Sequence, residues 1–340
     1  MRHKFHKELY THRPGGEPPA VVIAADENLQ SKFVVQKVLE LREQGVPLHD
    51  MAVLFRSSFH SFDLEIELNK ANVPFLKFGG FKFVETAHVK DLVAYLRVIE
   101  NPRDAVAWNR ILLLVDGVGP RTAERVLGDV LSRRMDVGGN STAFWSEYGA
   151  YPERLRALFE TLKEASPGRT APADKVQILL NYYHPIFTRR YDDHNKRQKD
   201  LEMFQQITER YRSLDALLSD ITLEPATESI TDITPVNTDD EKLILSTIHS
   251  AKGLEWNTVF VIYALDGRFP SMRSAISDDA MEEERRLMYV ACTRAKEHLY
   301  ITYPINVYER ESGLLLSKPS RFIAGMAENL LEPWVVDEEG

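Results

Sequence analysis

The sequence predicts an α/β fold, a parallel β-sheet covered by helices and interrupted by a mostly helical insertion. Three observations carry this reading. Short apolar runs alternate with amphipathic stretches near both ends of the chain, residues from about 104 to 220 carry helical signals only, and a polar, Thr-rich acidic segment closes that middle region. The expected organisation is one discontinuous α/β domain, residues 1–103 plus 237–340, with a helical insertion at 104–236.

In chain order, AVVIAA at 20–25 reads as a buried strand, and SKFVVQKVLELREQ at 31–44 as an amphipathic helix with Phe33, Val34, Val38 and Leu41 on one face. MAVLFR at 51–56 is a second strand, followed by a helix through SFDLEIELNKAN. A short strand, PFLKF, leads to Gly79-Gly80 and a helix, TAHVKDLVAYLRVIE. After Asn101-Pro102 the signals are helical, punctuated by GVGP, DVGGN and SPGR, until EPATESITDITPVNTDDE at 224–241 reads as a loop. The βα pattern then resumes with LILSTIH, VFVIYAL, a helix over 281–295 and a final strand, HLYITY. No internal repeat is present.

Composition sets outer bounds. A chain of 340 residues is long enough for two domains, and 44% hydrophobic with 27% charged residues is ordinary for a globular protein. A single cysteine, Cys292, rules out an internal disulfide framework and fits a reducing, cytoplasmic location. No apolar run approaches the length of a membrane span, and MRHKFHKELY lacks the apolar core of a secretory signal, so no membrane partner is expected. The net charge of −9 neither announces nor excludes nucleic-acid binding, because a local basic groove matters more than the sum.

Four segments carry chemistry. STIHSAKGLEW at 246–256 lies between two expected strands and presents a histidine, a Lys-Gly pair and a glutamate, residues suited to phosphate, sugar or nucleic acid. The chain contains no Gly-Lys dipeptide and therefore no P-loop, so Asp26 and Glu27 after the first strand have no phosphate to serve; they fit a helix N-terminus, which favours acids. Arg56 ends the VLFRS strand, where it either clamps a phosphate or is simply solvated. MEEERRLMYVACTRAKEHLYIT at 281–302 reads as an amphipathic helix with Leu287, Tyr289, Val290 and Cys292 available for packing and Arg294 at the junction with the last strand. GVGPRTAERVL at 117–127 sets Gly117 and Gly119 ahead of a helix with Pro120 in its first turn and Arg121 and Arg125 alongside. Paired glycines there either expose backbone N–H groups to a DNA phosphate or make a tight helix–helix turn.

In order, these segments resemble the C-terminal half of a superfamily 1 DNA helicase of the UvrD/Rep/PcrA type. VLFRSS resembles helicase motif IV, and FGGFKFVETAHVKDLVAYLRVIENPRD the segment that follows it. LSTIHSAKGLEWNTVFVI with GRFPS resembles motif V, EEERRLMYVACTRAKEHLYIT motif VI, and KPSRFI at 318–323 a common family ending. The resemblance implies the second RecA-like domain (2A), a P-loop NTPase fold without its P-loop, carrying an inserted 2B subdomain with a helix-hairpin-helix-like element at 117–127.

It also implies roles. Arg56 and Arg294 match arginines that reach the γ-phosphate of ATP across an interdomain cleft. Gly253 and Glu255 match the motif V positions at the nucleotide, the glutamate at the ribose. Thr247, His249 and Ser250 match positions near the single-stranded DNA backbone, and Gly117, Gly119 and Arg121 a region touching duplex ahead of a fork. ATP and Mg²⁺ are expected to be held mainly by an N-terminal RecA-like domain outside this chain, with no metal site in the chain itself. Expected partners are that domain, single-stranded DNA and single-strand/duplex junctions, with 3′ to 5′ translocation. The isolated chain is expected to lack ATPase activity. The alternative is a naturally short helicase-like module that binds DNA or protein. A helicase–nuclease relative is disfavoured, because nothing after Phe322 offers clustered acids with a lysine.

Overall fold

The computed structural model describes residues 16–78, 85–132, 152–166, 170–222, 241–309, 313–326 and 328–336. Gly79-Gly80, DVGGN and nearly all of the 224–241 loop lie outside them. The chain divides into two compact units, residues 1–82 with 224–340, and residues 83–223.

The first unit begins with β1 (Ala20–Ala24), α1 (Glu27–Glu43), β2 (Met51–Phe55), α2 (Phe62–Lys70) and β3 (Phe75–Phe78). Seven helices follow among the described residues of the second unit: α3 (Ala87–Glu100), α4 (Ala105–Leu112), α5 (Pro120–Leu131), α6 (Pro152–Ala165), α7 (Pro172–Arg190), α8 (His194–Thr208) and α9 (Leu214–Thr222). The chain then returns to the first unit with β4 (Leu243–Thr247), β5 (Trp256–Val261), α10 (Asp278–Cys292), β6 (Ala295–Pro304), the short β7 (Val307–Glu309) and β8 (Leu314–Leu316), and β9 (Glu332–Val336).

Seven of these strands form one sheet in the order β3-β4-β2-β5-β6-β1-β9, with every pairing parallel. All five residues of β2 are buried, which is why MAVLF reads as an unbroken apolar run rather than an alternating one. Period-two alternation sends Val53 and Phe55 to one face with α1 and α2, and Ala52 and Leu54 to the other with Leu287, Met288 and Ala291 of α10. In α1, Asp26 is the N-cap: its carboxylate accepts from Leu29 N–H at 2.8 Å, the structural role its position implied. In β3, Lys77 interrupts the apolar run yet is buried, paired with Glu65 at 2.6 Å.

Two expectations change. HLYITY is not the last strand: β7 and β8 form an antiparallel hairpin, and β9 adds to the sheet beside β1. EPWVV gives little strand signal because it lies at the sheet edge, where Val335 is 67% exposed, and because it carries a proline. The unit boundary also falls ahead of α3 rather than after Asn101-Pro102. The reason is visible on α3, where the buried Asp91 accepts from Arg110 Nε at 2.7 Å and from the hydroxyls of Tyr183 at 2.6 Å and Tyr191 at 3.3 Å. A buried carboxylate needs such partners, and α4, α7 and the residue that ends α7 supply them. No helix among the described residues is long and apolar enough to cross a membrane.

Candidate functional site

In a parallel sheet all strands end at one edge and begin at the other. The C-terminal edge carries Arg56, directly after β2, and Thr247, the last residue of β4. The turn that follows is fixed locally: Thr247 Oγ1 donates to Ser250 Oγ at 3.0 Å, and Ala251 N–H bonds to the Thr247 carbonyl at 3.1 Å. Ile248 N–H bonds to the Phe55 carbonyl at 3.1 Å, and the buried Ile248 side chain anchors the turn against the core. His249, between them, is exposed. Partial burial, and then the charge of Arg56, hold its pKa below the ordinary histidine range, while Glu283 and Glu284 oppose that shift.

Arg56 is itself engaged. Its Nε and a terminal nitrogen both reach Oε1 of Glu284, at 2.8 and 2.7 Å. Glu284 is 3% exposed, inside the apolar stripe that α10 turns to the sheet.

At the opposite edge, β5 and β6 begin side by side, with Trp256 paired to Ala295 and Trp256 N–H bonded to the Arg294 carbonyl at 2.9 Å. Arg294 folds over this edge. It donates to the carbonyls of Val290 at 3.1 Å and Leu254 at 2.8 Å, and to Thr293 Oγ1 at 3.1 Å. It thereby caps the C-terminus of α10, where a cation is favoured, and ties down the loop ahead of β5. Gly253 in that loop has a φ of 90°, a conformation that disfavours any side chain, and Glu255 is exposed beside it.

The structure therefore brings together Arg56, Thr247, His249 and Ser250 at one edge, and Gly253, Glu255 and Arg294 at the other. It does not bring Arg56 and Arg294 together. Glu284, which holds Arg56, and Arg294 lie ten positions apart (284 to 294), about 15 Å at the helical rise. The two arginines therefore lie at opposite edges of the sheet, Arg56 after β2 and Arg294 ahead of β6. Sequence reasoning also missed Glu284. Its signal lay in the spacing of Glu284, Leu287, Met288 and Ala291, which puts one acid of the EEE run on the apolar face.

In the second unit, Gly117 has a φ of 84° and Gly119 caps α5, with Pro120 in the first helical turn and Arg121 exposed next to it. The first-turn N–H groups of a helix have no partner within it, so this end can receive an anion.

Comparison with known proteins gives a family. The profile described as UvrD-like helicase C-terminal domain matches residues 1–306. ATP-dependent DNA helicase PcrA of Staphylococcus aureus is 30% identical over 348 aligned positions, covering 96% of this chain and 46% of the relative. The PcrA of Staphylococcus epidermidis aligns with the same identity and coverage. This chain thus spans about half the length of these relatives. A seven-stranded parallel sheet with helices on both faces is the fold expected of a RecA-like helicase domain, and with the matched profile it shows that the chain belongs to the UvrD-like helicase C-terminal domain family.

Proposed function

We propose that this chain is the C-terminal motor half of an ATP-dependent DNA helicase, completed by an N-terminal RecA-like domain that holds ATP and Mg²⁺. One observation supports the reading above others. The segment 247–255 is pinned at its start to the C-terminal edge of the sheet through Ile248 and Phe55, and at its end to Arg294 through Leu254. A single short segment thus joins a polar cluster suited to a sugar-phosphate strand to an arginine suited to a nucleotide.

In this reading Arg294 alone is the finger. It is half-buried at a helix end, and its three bonds go to two carbonyls and a hydroxyl of its own surroundings, neutral acceptors that a phosphate outcompetes. Glu255, exposed in the same loop, takes the ribose hydroxyls in this reading, and Gly253 leaves the backbone open to close approach. Bound ATP supplies the phosphoryl-transfer chemistry. Thr247, His249, Ser250 and Arg56 face the single strand, and the α5 end with Gly117, Gly119 and Arg121 faces duplex at a junction. Arg294 leaves Leu254 when it engages nucleotide, so closing the cleft loosens the segment that carries Thr247 and His249. That links hydrolysis to movement along the strand, 3′ to 5′ by family resemblance. A reducing cytoplasm suits the lone Cys292, whose thiol burial pushes up to about 11.

The test joins this chain to the N-terminal half of a PcrA relative. Arg294→Ala should lower ATP hydrolysis by about 10³ or more while ATP and DNA binding survive. The chain alone should hydrolyse no ATP. Unchanged turnover in the variant, or DNA-stimulated hydrolysis by the chain alone, overturns the reading; the latter result would also remove the need for a second domain.

A further inference from the structure

We infer that Glu284 is a positioning residue for Arg56, holding its guanidinium in reserve at the C-terminal edge of the sheet until a DNA phosphate displaces the carboxylate. The inference rests on the reading of that edge as the strand-binding side.

The pair leaves half of the carboxylate unsatisfied. Arginine–carboxylate pairs often settle into a fork, two N–H groups on two oxygens, and where Arg110 converges on one oxygen of Asp91, the other accepts from Tyr183 and Tyr191. Here both Arg56 contacts, at 2.8 and 2.7 Å, converge on Oε1. The other oxygen, Oε2, is buried and has no hydrogen-bond partner among the described residues. A carboxylate 3% exposed among Leu287, Met288 and Ala291 carries a desolvation cost that half of its acceptor capacity does not offset. The Arg56 side chain is 26% exposed, so the pair is closed on the Glu284 side and open on the Arg56 side.

Thr247 and Ser250 present hydroxyls within one turn, and His249 lies within the electrostatic reach of Arg56, Glu283 and Glu284. A phosphate arriving there meets a guanidinium already aimed and bound through a single oxygen.

Binding of a fluorescently labelled oligothymidylate to the purified chain, titrated against salt, tests this. Arg56→Ala should weaken binding and lower the salt slope by about 0.7, one phosphate contact on a single strand. Glu284→Gln removes the competing charge and should tighten binding by about threefold, the scale of a partly exposed ion pair. The gain should vanish in the Arg56→Ala background. Glu284→Asp keeps the charge but withdraws it by one methylene, and should also tighten binding. This second variant carries the test if the glutamine protein does not fold.

A gain from Glu284→Gln that persists without Arg56 means general charge repulsion and overturns the inference, as does no gain from Glu284→Asp. If Arg56→Ala and Thr247→Ala both leave binding unchanged, the strand-side reading itself fails.

Discussion

His60 shows what a single side chain can cost. It is 2% exposed, and neither ring nitrogen has a hydrogen-bond partner among the described residues. Its ring stacks on Tyr263 at 4.6 Å, and Tyr263 itself has a φ of 55°. Burial first, then the charges of Arg268 and Arg56, hold the His60 pKa well below the ordinary histidine range. A histidine that stays neutral in the fold but takes up a proton when unfolded contributes stability above about pH 6.5 and loses it as the pH falls further. His60→Phe keeps the stacking and removes two unsatisfied buried nitrogens. Thermal unfolding should show it as stable as the parent at pH 7, or more stable by about 1 kcal/mol. Between pH 7 and 5 the variant should lose less stability than the parent. Parallel acid limbs for the two proteins would show that His60 does not titrate with unfolding.

At the scale of elements, the first helix has a capping residue with no claim on function. Asp26→Ala should cost about 1 kcal/mol in denaturant unfolding and leave oligonucleotide binding unchanged. A loss of binding without loss of stability would return Asp26 to the functional residues. The elements also show why the site was only half legible. The Gly253 loop stood out because a glycine, a lysine and an acid interrupt two apolar runs. The two arginines were paired by their motifs, whereas chain order separates them. Arg56 follows β2 and Arg294 precedes β6, and in a parallel sheet these are opposite edges. That information was in the chain order all along. β9 was illegible for another reason: at an edge, with Pro333 in its run and Val335 exposed, it lacks the continuous apolar character that marked β2.

For the whole molecule, the inserted helical unit bridges β3 and β4, which are parallel neighbours with Phe75 opposite Leu243. Parallel neighbours need a crossover of about a dozen residues, far less than the insertion provides. Replacing residues 85–222 with a flexible linker of that length should leave the first unit folded, read as a cooperative thermal transition with sheet-rich circular dichroism. A deletion protein that aggregates or melts without cooperativity would show that the helical unit supports the sheet rather than merely interrupting it.

The strand order has a consequence for the newborn chain. Among the described residues, β1 pairs with β6 and β9, β2 with β4 and β5, and β3 with β4, so none of the first three strands neighbours another. A ribosome therefore releases three apolar strands ahead of the strands they pair with, which follow only after the helical region has been synthesised. Until then their bare edges are open to association with other chains, and the helical region, whose contacts are local, can fold while they wait.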